Sequence, residues 1–243
     1  MLGHLVKDYL LSSPDVTIKT INHRWPSENF KSSVKSAEVD IVINCIGAIP
    51  QKTKDFSVNI ELPIWLENNV SKSTKIIHPG TDCEIDDDDY GNSKREASEY
   101  IQRNSTRTKI IQTSIIGPEL FSSAGLFSWF MSSTGSVNGW TTHLWNGNTT
   151  LEWAHRCLDM IKNWEKYDIL TVIQGETVSK YEILSLIQET FEKDIEINAV
   201  ETSSVVNKCL EGELKTAPLK EQLLELKKYM IERKTKYDQY FTP

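Results

Sequence analysis

Lys75-Ile76-Ile77, Gly91 to Arg103 and Lys109-Ile110-Ile111 follow one another as a short apolar run, a helical pattern and a second apolar run. Strand, helix and strand in that order make a βαβ unit, and such units build a parallel sheet. The pattern extends outward from there. Ile41-Val42-Ile43-Asn44-Cys45 is another continuous apolar run, as expected for a parallel strand covered on both faces. Val58 to Asn69 reads as the helix that follows it. Val16-Thr17-Ile18-Lys19-Thr20-Ile21 alternates like a strand, and Leu2, Leu5, Val6, Tyr9 and Leu10 repeat at helical spacing. A doubly wound α/β fold results, with ligands expected at the carboxyl ends of its strands.

The last third is mixed. Thr149-x-x-Glu152 and Ser179-x-x-Glu182 are capping boxes, before helices over Leu151 to Asn163 and Tyr181 to Phe191. Ile169 to Ile173 and Ile195 to Ala199 read as strands, and Pro218 opens a final amphipathic helix.

Of the 243 residues 39% are hydrophobic and 25% charged, enough apolar material for a real core. Acids outnumber bases by 34 to 27, and the net charge of −7 is the wrong sign for a nucleic-acid footprint. No apolar run approaches the roughly 18 residues of a membrane span. The N-terminus lacks the segments of a secretory signal. Cys45, Cys83, Cys157 and Cys209 are scattered without a C-x-x-C pair, and the five histidines are dispersed. These features predict free thiols in a reducing cytoplasm, no metal site, and neither nucleic acid nor membrane as partner.

Tyr90-Gly91-Asn92-Ser93-Lys94 is a Y-x-x-x-K at the start of a predicted helix. The four-residue step places Tyr90 and Lys94 on one face, a turn apart. An ammonium beside a phenol lowers the phenol pKa from about 10. Tyr90 then suits proton donation to a carbonyl under reduction. Y-x-x-x-K is a frequent coincidence, and its surroundings give it weight. Thr81 follows one predicted strand, and Asn44-Cys45-Ile46-Gly47-Ala48 follows the strand before it. A hydroxyl, a tyrosine and a lysine therefore converge on one sheet edge. Asp86 to Asp89 suit a helix N-terminus, and they also oppose Lys94 by raising the Tyr90 pKa. Trp129, Trp140, Trp145 and Trp153 read first as core packing and second as a stacking surface for a base. Asn59 reads either as a support of the site or as a helix cap.

Taken in order, these motifs resemble the extended short-chain dehydrogenase/reductase superfamily, most of all its dTDP-4-dehydrorhamnose reductase branch, over nearly the whole chain. Met1-Leu2-Gly3-His4-Leu5-Val6 resembles the end of the family's G-x-x-G-x-L-G phosphate loop. Asp40 to Cys45 resembles its fourth strand, and Val58-Asn59 its V-N before a core helix. Gly80-Thr81-Asp82 is similar to its S-T-D, and Tyr90 to Lys94 to its Y-G-x-S-K. Gln112-Thr113-Ser114-Ile115-Ile116-Gly117 resembles R-T-S-x-x-x-G, and Trp145 to Thr150 a segment of the sugar-binding lobe.

The resemblance implies reduction of a nucleotide-linked keto sugar by a nicotinamide cofactor, NADPH before NAD. In it Tyr90 protonates the developing alkoxide, Lys94 tunes Tyr90 and holds the ribose, and Thr81 binds the substrate oxygen. Gly3, Arg24, Cys45, Ile46, Gly47, Asn59, Lys94 and Thr113 take cofactor positions, with Arg24 placed for a 2′-phosphate. Ser114 and Trp145 take substrate positions. Residues 1–118 correspond to a Rossmann-like domain and 119–243 to a partly interleaved sugar-nucleotide lobe, and a homodimer is the protein partner to expect. Two departures stand out. The sequence begins inside the phosphate loop, so the first strand of the sheet is expected to be missing. Only eight residues separate Thr81 from Tyr90, fewer than the family's loop. They keep two other functions open: a sugar epimerase, and a non-catalytic nucleotide-binding subunit like the regulatory subunit of methionine adenosyltransferase.

Overall fold

The apolar runs around Ile76 and Ile110 form the inner strands of a parallel sheet. The computed structural model describes residues 1–241. In chain order its elements are α1 (Leu2–Leu10), α2 (Glu28–Lys35), β1 (Ile41–Ile43), α3 (Ser57–Asn69), β2 (Lys75–Gly80), α4 (Asp89–Asn104), β3 (Thr108–Gln112) and β4 (Ile115–Ile116). There follow α5 (Leu126–Ser132), β5 (Ser136–Trp140), β6 (His143–Trp145), β7 (Asn148–Thr149), α6 (Thr150–Lys162), β8 (Leu170–Gln174) and β9 (Val178–Ser179). The last are α7 (Lys180–Phe191), β10 (Glu196–Val200), β11 (Val206–Lys208), β12 (Leu214–Lys215), α8 (Leu219–Ile231) and α9 (Lys234–Tyr237). No helix among the described residues is long and apolar enough to cross a membrane.

The main sheet has the order β1-β2-β3-β8-β12. Val42 lies beside Ile76, and Ile77 beside Lys109, in parallel register. β3 is buried at every position. β1 is half-buried throughout and stands at the sheet edge. The expectation of a strand covered on both faces therefore gives way, and β1 stops at Ile43. Val16 to Ile21 forms no strand. Its apolar residues are half-buried and its polar residues exposed, so the alternation is present. Among the described residues, however, no strand pairs with it, and a strand needs a ladder partner. Ile21 packs instead against the cluster of Phe30, Val34, Leu62, Leu66, Val70 and Ile76.

The chain divides into two interleaved compact units. One comprises Val6–Gln112 and Ala154–Thr171; the other comprises Met1–Leu5, Thr113–Trp153 and the chain from Val172 onward. The division expected at residue 118 thus falls at residue 112, and residues 154–171 return to the first unit. In the first unit α3 turns Leu62 and Leu66 onto the core, and burial of such side chains contributes about 1.5–3 kcal/mol each. In the second unit Ser179 and Glu182 cap α7 reciprocally, as their spacing predicts. Pro218 stands at the N-cap of α8, which buries Leu223, Leu226 and Met230.

Candidate active site

The loop after β1 is shaped by two buried amides. Asn44 accepts the Ile46 N–H on Oδ1 at 2.9 Å, and its Nδ2 lies 3.2 Å from His78 Nδ1. Asn59 accepts the Ala48 N–H at 2.8 Å and donates to Ala48 O and Ser93 Oγ, each at 3.1 Å. Asn59 is therefore a cross-brace between this loop and α4, not a cap; Phe56 holds the N-cap position of α3. Ile46 and Gly47 are left exposed. Burial pushes the Cys45 thiol up to about 12, so it is neutral.

Thr81 follows β2 and caps a single 3-10 turn, Asp82–Ile85. Glu84 Oε1 accepts the Thr81 N–H at 2.9 Å, and Thr81 Oγ1 accepts the Cys83 N–H at 3.3 Å. This reciprocal capping fixes the Thr81 backbone, and the hydroxyl donates to Asp82 Oδ1 at 2.9 Å.

α4 begins immediately beyond. Asp88 accepts the Gly91 N–H at 2.6 Å. A side chain at Gly91 has no room, because its Cβ would fall 2.4 Å from the Cys83 carbonyl oxygen. Arg95 donates to Glu84 O at 2.7 Å and Asp86 O at 3.0 Å. The short loop between Thr81 and Tyr90 is thereby stapled to the helix that follows it. Tyr90 is half-buried, its ring set edge-on to Phe56 with centroids 5.6 Å apart. Lys94 is buried, and its Nζ donates to Pro79 O at 2.7 Å.

The electrostatics correct one expectation. Tyr90 lies well above the ordinary phenol value. Burial is the largest cause, followed by Cys83 and Asp82, with Glu84 adding a smaller push; a hydrogen bond with Thr81 pulls the other way. Lys94 is not among the influences on Tyr90. Nor is the block Asp86 to Asp89; the acids that matter are Asp82 and Glu84, within the turn. Burial lowers Lys94 itself to about 8, against the opposing pull of Glu84 and Cys83. Burial raises Glu84, while the Thr81 N–H, the Lys94 charge and Gln112 hold it down. His78 is kept neutral by burial and by Lys94, and its Nε2 is buried with no hydrogen-bond partner.

Thr81, Tyr90, Lys94, Asn59 and the loop Cys45 to Gly47 thus belong to one unit and one sheet edge. Arg24 belongs to the same unit but sits exposed in a loop, since the strand expected before it does not form. Gly3, Thr113, Ser114 and Trp145 belong to the other unit. Gly3 lies in the first turn of α1. Thr113 is buried, and its hydroxyl accepts from Asn148 Nδ2 at 2.8 Å. Asn148 Oδ1 in turn accepts from Thr216 Oγ1 at 2.7 Å and Gln222 Nε2 at 3.0 Å. Ser114 contributes its carbonyl, which accepts the Asn148 N–H at 2.9 Å. Trp145 is only 7% exposed and Trp153 only 1%, so both serve the core. Trp140 is exposed and stacked on His143, with ring centroids 5.1 Å apart.

Sequence reading passed over Glu84, His78 and Asn148. Glu84 carried a signal: Thr81-x-x-Glu84 is itself a capping-box spacing. His78 and Asn148 carried none, because their importance lies in what the fold places around them.

No family profile matches the sequence, and no curated protein does. Solved structures share the fold. A dTDP-4-dehydrorhamnose reductase of Clostridium acetobutylicum aligns over 95% of this chain and 96% of its own, with 14% identity and a TM-score of 0.67. The structure of RMD from Pseudomonas aeruginosa complexed with NADPH aligns over 96% of this chain and 95% of its own, with 12% identity and a TM-score of 0.71. A dTDP-4-dehydrorhamnose reductase of Bacillus anthracis in complex with NADP aligns over 84% of each chain, with 13% identity and a TM-score of 0.60. The chain has the Rossmann-like α/β fold of these structures.

Proposed function

We propose that the protein is an NAD(P)H-dependent reductase of a nucleotide-linked keto sugar. It serves deoxysugar and polysaccharide synthesis in the cytoplasm, as a homodimer. The observation that carries the reading is the convergence of Thr81, Tyr90 and Lys94 at one sheet edge of this fold. The residues present fit the nicotinamide-ribose end of such a cofactor. Pro79 O takes one of the three N–H donors of Lys94 and leaves two for a ribose diol. Ile46 and Gly47 are exposed, and Thr81 and Tyr90 are half-exposed, in the same unit. NADPH is favoured over NAD, with Arg24 exposed in the same unit for a 2′-phosphate.

When bound, the cofactor supplies a hydride to the sugar carbonyl. Tyr90 is held as a neutral phenol by its buried, acidic surroundings and gives its proton to the carbonyl oxygen. Thr81 donates its own hydroxyl proton to Asp82. Lys94 brings a buried positive charge one helical turn from Tyr90.

A raised phenol pKa keeps Tyr90 protonated and makes it a weaker acid, so the protein alone does not tune it for donation. The test is oxidation of NADPH by a nucleotide 4-keto sugar. Tyr90→Phe should lose on the order of 10²- to 10⁴-fold in rate with its thermal midpoint unchanged. Cofactor binding without turnover of any keto sugar would select the regulatory-subunit function instead.

A further inference from the structure

We propose that Glu84 is a positioning residue: its buried carboxylate is the counter-ion that holds the Lys94 ammonium in the site beside Tyr90. This rests on the reading of Tyr90 and Lys94 as the proton-donating pair.

The two groups approach the same stretch of backbone, Pro79 to Thr81, without a direct ion pair. Lys94 Nζ donates to the Pro79 carbonyl at 2.7 Å. The next residue is Gly80, where an added Cβ would lie 3.0 Å from Glu84 Oε1. That same oxygen accepts the Thr81 N–H at 2.9 Å, and Oε2 accepts from Gln112 Nε2 at 3.1 Å. Both donors are uncharged: they stabilise the carboxylate by hydrogen bonding and leave its charge unneutralised. Glu84 is 7% exposed and Lys94 8%, and water therefore compensates neither. A buried ammonium without an opposite charge gives up its proton.

The groups acting on Lys94 can be named. The 3-10 turn brings Glu84 and Cys83. From β2 comes His78, whose imidazole is neutral. Tyr90 lies on its own helix, and it is a phenol. Glu84 is the carboxylate of the set. Capping the turn requires only an acceptor at position 84, which glutamine supplies equally well. Compensating Lys94 requires the charge.

That difference gives the test. Cofactor-free protein carries ¹³C at lysine Cε, tyrosine Cζ and glutamate Cδ, and these resonances are followed against pH by NMR. Lys94→Arg assigns the lysine signal. In Glu84→Gln the Lys94 midpoint should fall by about one pH unit or more. The Tyr90 midpoint should fall with it, while the exposed lysines stay in place. An unmoved Lys94 midpoint overturns the proposal. If Glu84→Gln fails to fold, the unsubstituted protein still decides. Its Glu84 carboxyl carbon should show a step at the Lys94 midpoint, and a flat response there overturns the proposal. Neither measurement needs cofactor or substrate. An absence of turnover would sink the reductase reading and leave these titrations free to judge Glu84.

Discussion

Lys94 is a charge held where charge is costly, and that makes it visible to pH. Its folded value is lowered to about 8 from an ordinary 10.5. Between those values the unfolded chain binds the proton and the folded chain does not. The contribution of Lys94 to stability is therefore lowest below about pH 8 and rises as pH climbs toward 10.5. The rise should amount to about 3 kcal/mol, and Lys94→Met should lack it when denaturant unfolding is followed across that range. Turnover should fall above about pH 8, as the ammonium is lost. The spacing of Tyr90 and Lys94 was legible in the sequence because four residues make about one helical turn. The direction of the Tyr90 shift was not. It depends first on burial of the phenol, and then on Cys83 and Asp82 in the 3-10 turn before the helix.

At the scale of elements, what positions the site is a set of cross-braces. Asn59 joins the loop after β1 to α4 through Ala48 and Ser93. Asn59→Ala leaves both Ala48 backbone groups without that partner, and it should destabilise the protein by about 1–3 kcal/mol, read as a lower thermal midpoint. Arg95 and the close approach at Gly91 perform the same service for the loop before Tyr90. The helices and inner strands were legible because their periods are local. Val16 to Ile21 was misread because a strand also needs a neighbour, and the alternating pattern cannot supply one. Asn59 carried two readings in the sequence, and only its partners in space separate a brace from a cap.

At the scale of the molecule, the sequence suggests a break near residue 118 with partial interleaving of the second lobe. Residues 154–171 pack with residues 6–112. Helical and strand periods reveal an element's type and say nothing of which core it joins. A fragment spanning Val6–Gln112 should therefore show no cooperative thermal transition by circular dichroism. The same fragment followed through a short linker by Ala154–Thr171 should recover one.

This interleaving also sets a schedule for synthesis. Gln112 leaves the ribosome well before Ala154–Thr171 has been made. At roughly 5–20 residues per second the nascent unit waits for seconds with part of its core uncovered. During that interval the apolar strands around Ile76 and Ile110 are the surfaces a holding chaperone would meet.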